Sequence, residues 1–238
     1  MRRARLAVLA AAVLAALSAQ AQLAGSAWVT GIGSNVSGAN PFRFDEYRDL
    51  SSGATAGADV RCGNEAYWCT LFAENLGRDD QFAEARGGRY GLFKYGFFGN
   101  DTIHNLTHDA ITPFEGVGTN RLTFDGALPL DTATWNGFDY SVKHRTFGGM
   151  FELRPYVSPF YARVEASRKE SDGGRPIGGA GTSPGGPVYE MPVPVDWVTN
   201  NASVEAGYAT RTAQLSVNAA WSRFDDHNDY VFWRNPIV

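Results

Sequence analysis

The residues best suited to covalent chemistry are two cysteines, Cys62 and Cys69. They are spaced C-x6-C around Gly63-Asn64-Glu65-Ala66, a good turn sequence. In an exported chain such a pair reads as a disulfide that staples a hairpin across two strands. The spacing fits neither covalent haem attachment, which needs C-x-x-C-H, nor a paired zinc knuckle. His104 and His108 form H-x3-H, which could ligate a metal on a helix. They fall in a stretch that reads as loop, without a carboxylate at a useful third spacing, so a packing role is expected. Asp225-Asp226-His227-Asn228-Asp229 resembles an acidic calcium loop but lacks the central glycine and distal glutamate of an EF-hand. Gly31-Ile32-Gly33 has Val36 where a dinucleotide fingerprint needs its third glycine. No P-loop or H-E-x-x-H occurs. No histidine accompanies a serine as a membrane hydrolase would require. The expectation is a non-enzymatic chain with no catalytic, cofactor or metal site of its own.

Charged side chains offer a second kind of chemistry. Arg78-Asp79-Asp80 reads as a turn in which aspartates cap backbone amides. Alternation places Lys143 and Arg145 on one strand face with Asp139 and Ser141. It places Arg163 with Tyr161, Glu165 and Ser167. Both faces read as polar and water-facing.

Bulk numbers narrow the function class. The chain has 238 residues, 19% charged and 13% aromatic, with 27 glycines and a net charge of −4. That charge is too small and too negative for a protein that binds nucleic acid through its phosphates. The first 21 residues read as a cleaved secretory signal: Arg2, Arg3 and Arg5, an apolar run from Leu6 to Leu17, and small residues at Ala19 and Ala21. The run is shorter than the roughly 20 apolar residues that a membrane-spanning helix needs. No later run reaches that length either. A β-barrel remains open, because its spans hide as short alternating segments.

Alternation dominates the rest of the chain. In 213–221 the odd positions Ala213, Leu215, Val217, Ala219 and Trp221 are apolar, and most even positions are polar or small. In 161–167, Ala162, Val164 and Ala166 oppose Tyr161, Arg163, Glu165 and Ser167. A period of two with unlike faces marks strands between two different solvents. The pattern predicts strands over 54–62, 67–76, 82–98, 138–153, 158–169, 201–210 and 213–224, with an eighth starting at 230. The connections alternate in length. Those at 77–81, 154–157 and 211–212 are uniformly short. The others are 63–66, 99–137, 170–200 and 225–229, two of them long. Short turns at one end and long loops at the other suit an outer-membrane barrel. The glycine- and proline-rich stretch 170–200 is expected to be irregular and to lie at the mouth. The expected fold class is all-β: an antiparallel transmembrane β-barrel of the outer membrane, incomplete at about eight strands. A signal occupies 1–21, an N-terminal periplasmic segment 22–53, and the barrel region 54–238.

Several strings carry a family resemblance. They are Phe44-Asp45-Glu46-Tyr47-Arg48-Asp49-Leu50, Glu74-Asn75-Leu76-Gly77-Arg78-Asp79-Asp80-Gln81 and Gly87-Gly88-Arg89-Tyr90-Gly91-Leu92-Phe93-Lys94-Tyr95. Ile103-His104-Asn105, Thr112-Pro113-Phe114, Tyr140-Ser141-Val142-Lys143-His144-Arg145, Gly148-Gly149 and Trp233-Arg234-Asn235-Pro236 complete the set. With these the chain resembles the N-terminal part of the decahaem-associated outer-membrane β-barrel proteins of the MtrB/PioB type. The resemblance implies a barrel in a Gram-negative outer membrane that sheathes a periplasmic multihaem c-type cytochrome. The haem would belong to that partner, and this chain would bind none. Lys143, Arg145 and Arg163 then become candidate lumen contacts to the cytochrome. Many relatives carry C-x-x-C near the N-terminus, so the C-x6-C spacing here weakens a redox role for the cysteines. Family barrels exceed twenty strands. An eight-stranded barrel is only about 16 Å across, whereas about 26 strands give a diameter near 50 Å. The chain is accordingly expected to be part of a larger barrel. The competing expectation is a general porin, or a small outer-membrane barrel that passes solutes.

Overall fold

The computed structural model describes residues 22–38, 41–125, 131–180 and 188–235. The expected signal, 1–21, lies outside the described residues. Among the described residues there are eleven strands: β1 Gln22–Ile32, β2 Gly53–Gly63, β3 Tyr67–Leu76, β4 Phe82–Arg89, β5 Phe93–Thr112, β6 Arg121–Leu122, β7 Asn136–Leu153, β8 Phe160–Ala180, β9 Val188–Ala209, β10 Gln214–Asp226 and β11 Phe232–Trp233. Nine of them form one sheet in the order β1-β2-β3-β4-β5-β7-β8-β9-β10, and β6 pairs with β11 separately. Every neighbouring pair in the large sheet is antiparallel. The chain is all-β, as the alternation predicts.

Register sorts the side chains into two unlike faces. One bears Leu23, Val29, Val60, Leu71, Phe97, Phe147, Phe151, Val164, Val204, Leu215 and Val217. The other bears Arg61, Glu84, Arg86, Lys94, Glu152, Arg163, Glu165, Asn201, Ser203 and Asn218. The apolar face is a band rather than a whole wall. On β7 it runs from Leu153 to Phe147, about 20 Å of strand. It then yields to Arg145 and Lys143. On β8 it yields to Arg168 after Ala166, and on β10 to Arg223 after Trp221. Beyond the band β5, β7 and β8 turn largely polar on both faces, while β9 keeps Met191, Val193 and Val195 on one face, so the long strands continue past the lipid-like layer.

Aromatic rings lie across glycines directly opposite them on the neighbouring strand. The pairs are Trp28 over Gly57, Tyr95 over Gly87, Phe97 over Gly149, Phe98 over Gly148 and Tyr161 over Gly207. A Cβ at Gly149 would stand 2.7 Å from the Phe97 ring. Each glycine clears room for a ring to lie flat, so apolar area is gained without deepening the wall. The glycine and aromatic content seen in the composition is used here.

Several sequence expectations change. The predicted strand 82–98 is two strands, β4 and β5, joined at Tyr90-Gly91-Leu92. Gly91 takes φ +68°, and the Leu92 amide bonds the Arg89 carbonyl at 3.1 Å, closing a β-turn. Alternation hides this turn. A three-residue connection keeps odd positions on one face, so Gly87, Arg89, Phe93 and Tyr95 read as one continuous strand. The sheet also begins before residue 54, because β1 lies within the stretch expected to precede it. Together these changes invert the turn assignment. The short connections are 64–66, 90–92, 154–159 and 210–213, all at the end where β1 starts. The 77–81 turn stands with the long loops at the other end.

The expected loop 99–137 is strand as far as Thr112, and the expected loop 170–200 is largely strand. In the second, Pro176 faces Pro192 and Gly174 faces Pro194. Two opposed prolines can share only a non-hydrogen-bonded position, where neither amide is needed between them. Their outward amides would have found no ladder either. The β7 pairing ends at Gly173 and the β10 pairing at Trp197. The eighth strand expected from 230 does not join the sheet: Phe232–Trp233 pairs in parallel with Arg121–Leu122.

Candidate functional site

The polar face of the wall holds a groove of about 750 Å³ that crosses β3 to β10. The charges in it and beside it on this face are arranged in pairs. Lys94 Nζ lies 3.1 Å from Glu152 Oε2, and Arg154 Nε lies 3.4 Å from the other oxygen of that buried carboxylate. Arg86 meets Glu84 at 2.7 Å, and Arg163 pairs with Glu165. Tyr161 Oη donates to Glu205 at 2.5 Å, and the Arg154 guanidinium sits 4.4 Å from the Tyr161 ring centroid. Ser167, Asn201, Ser203 and Ser222 fill the space between. The groove's charges are therefore nearly self-neutralised, and between them it is lined by Trp68, Phe98 and Met150. It can hydrogen-bond and hold water, and it presents no nucleophile beside a base. Among the described residues no three His, Cys, Asp or Glu side chains are placed to hold a metal.

Of the three candidate lumen contacts, only Arg163 stands on this face. Lys143 and Arg145 share the opposite face with Phe147, Phe151 and Leu153, just beyond the apolar band. Polarity marks a single face only inside the band; beyond it the face that carries Phe147 and Phe151 becomes charged as well. Arg145 Nη1 meets Asp172 Oδ1 at 2.9 Å, and Lys143, 8% exposed, pairs with Asp79.

Lys143 belongs to a charged clamp at the long-loop end. β5 outruns β4 by more than ten residues, which leaves its ladder edge open. The loop between β1 and β2 covers it: the Asn105 amide bonds the Glu46 carbonyl at 2.7 Å, and Asn105 Nδ2 bonds the Asp45 carbonyl at 2.8 Å. His108 Nε2 lies 3.2 Å from Asp45 Oδ1, and His104 Nε2 lies 3.4 Å from Glu46 Oε1 while its ring stacks on Tyr47. The two histidines thus meet different carboxylates. The same loop grips the 77–81 turn. Buried Arg78 donates to the carbonyls of Asp49 and Ser51 and lies 3.5 Å from Asp49 Oδ1. The Asp79 amide bonds Asp49 Oδ2 at 3.0 Å, and Arg48 Nε bonds Asp80 Oδ2 at 2.6 Å. Burial pushes the Asp49 carboxyl up, but the Ser51 hydroxyl, the two backbone amides and the Arg78 charge outweigh it. Asp49 therefore titrates below the usual carboxylate range.

A second cluster at the same end is apolar. Phe114 and Leu122 have no exposed surface, and they pack with Phe124, Met191 and Val193. Met191 and Val193 are on β9, so the 113–125 segment folds against the polar-face side of the β8–β9 extension. Arg234 Nη1 bonds the Phe124 carbonyl at 2.6 Å, and its guanidinium lies 5.0 Å from the Phe124 ring. At the end of β10, Asp225, Asp226 and His227 of the acidic string are engaged within their own hairpin. Asp225 meets Arg223 at 2.9 Å, Asp226 accepts from Trp197 Nε1 at 3.0 Å, and His227 lies 3.0 Å from Asp196.

At the other end, Cys62 and Cys69 face each other directly across β2 and β3 and are joined as a disulfide, with Cα atoms 5.0 Å apart. Composition and spacing could not locate the clamp or the cap. The motif strings could have hinted at them, since five of these converge there: 44–50, 74–81, 103–105, 112–114 and 233–236.

The chain matches the family model of the outer membrane beta-barrel porin, MtrB/PioB, over residues 36–238, and it belongs to that family. No curated protein matches it.

Proposed function

We propose that this MtrB/PioB-family chain supplies wall to an outer-membrane barrel that sheathes and positions a multihaem c-type cytochrome, so that electrons cross the membrane through the partner's haems. One observation carries the reading. Eight successive antiparallel steps leave β1 and β10 pointing the same way. An antiparallel barrel cannot close between them, and open edges are not tolerated in lipid. Closure takes an odd number of further strands and widens the lumen. The self-paired polar face suits contact with a folded protein surface better than capture of a charged solute. The short turns lie where β1 begins, which fits a periplasmic end. The long-loop end, with clamp and cap, faces outward.

The test is purification of the tagged protein from outer membranes of its native host. The expected result is co-purifying c-type haem, read by absorbance, and electron transfer to an internal dye in proteoliposomes. Absence of haem together with open-pore conductance would assign a solute porin instead.

A further inference from the structure

The Cys62–Cys69 disulfide stands on the lipid side of the wall. Register puts it in one row with Leu23 on β1 and Gly87 on β4. Along β3 the same face reads Tyr67, Cys69, Leu71 and Ala73; along β2 it reads Cys62, Val60 and Ala58. Arg61, Asp59, Thr70 and Glu74 all point to the other face. The pair is thus inside the apolar band, one step in from Tyr67 and Arg89, which border it on this face, with Cys62 7% and Cys69 5% exposed. Thiol–disulfide exchange needs a thiolate to approach a sulfur in line, and a thiolate is a charged species. Hydrocarbon excludes it.

We infer that this disulfide is made before the chain enters the membrane and is locked afterwards: it is an assembly staple, not a redox relay. In the exchange, the thiolate of one cysteine attacks a disulfide-bearing oxidant of the periplasm and releases one oxidant thiol. The second cysteine then displaces the other. The cysteines lose two electrons and two protons in total, and the oxidant leaves as a dithiol. The bond closes a loop of only a few residues, so it pre-registers β2 against β3 in the unfolded, exported chain. The opposite orientation, toward the polar face, would have put the sulfurs within reach of an electron-carrying partner.

The inference rests on the barrel reading but not on the identity of the partner. Its test is therefore separate from haem co-purification. Outer-membrane vesicles bearing the protein are treated with the charged phosphine TCEP, then alkylated with a polyethylene-glycol maleimide, with and without denaturant. The expected result is no mass shift in the intact membrane and a two-label shift once the protein is unfolded. A two-label shift in the intact membrane overturns the inference. The C62S/C69S variant is expected to reach the membrane at several-fold lower level, with any cytochrome retention per inserted molecule unchanged. Normal insertion, or a loss of electron transfer per inserted molecule, would overturn the staple role. If the variant fails to accumulate at all, protection from TCEP in the wild-type chain still decides the point.

Discussion

The clamp and the cap occupy the same end of the molecule, yet they are held by opposite means. The clamp joins the 45–52 loop to the 77–81 turn and β5 through Arg78, Asp49, Asp80, Lys143 and two histidine–carboxylate pairs. The cap joins the 113–125 segment to β9 through Phe114, Leu122, Met191 and Val193. The partly exposed pairs of the clamp, His104–Glu46 and His108–Asp45, contribute little each and are screened by salt, whereas Arg78 and Lys143 are buried and cost more to break. The buried apolar groups of the cap carry no charge to titrate or to screen. The contrast implies a responsive strap beside a permanent lid.

The comparison can be broken most forcefully at the cap. Phe114→Ala should cost about 3–5 kcal/mol, because a fully buried ring leaves a cavity. Hydrogen exchange of 113–125 should accelerate while the 45–52 loop keeps its protection. Acceleration of both would show that the two clusters fold as one unit. Next in size is Arg78→Met. It leaves the Asp49 and Ser51 carbonyls without their donor, at about 1–3 kcal/mol. Proteolysis within 41–52 should rise, with the cap unchanged.

A pH titration sharpens the same contrast. The Asp49 carboxyl titrates below its usual value of 3.8 when folded, so its stabilising effect is present above that pH and is lost as pH falls through the lower, folded value. A nitroxide on an F44C variant should gain mobility in that acid range, and a label beside the cap should not. The smallest effect is expected at the surface. His108→Ala removes only a partly exposed pair with Asp45 and should cost less than about 1 kcal/mol. High salt should erase that difference between wild type and variant in the same proteolysis assay, and a salt-independent difference would reassign His108 to packing.

The legibility of the wall and of the site differed for reasons visible in particular residues. β3 is read over its whole length from alternation, because Tyr67 to Leu76 meets two unlike solvents along most of that length. β8 and β9 are read only where Ala162, Val164, Ala166, Ala202 and Val204 face the apolar band. Past Ser167 both faces of β8 are polar, on β9 Met191, Val193 and Val195 alternate with prolines, and Pro176, Pro192 and Pro194 look like loop. The clamp was invisible for another reason. Asp45 and His108, or Asp79 and Lys143, are more than sixty residues apart, and nothing in their local types predicts that they meet.

The sequence by itself determined the two-solvent strands, the polar and apolar faces within the band, and the family. Those properties follow from side-chain alternation, which is local. Tertiary structure alone decided the turn at Gly91, the end on which Arg78 lies, and the side of the wall taken by Lys143 and Arg145. The missed three-residue turn preserves parity, so it inverts the end and not the face; the side of Lys143 and Arg145 depends instead on the pairing that continues the apolar row of β7 into a charged one.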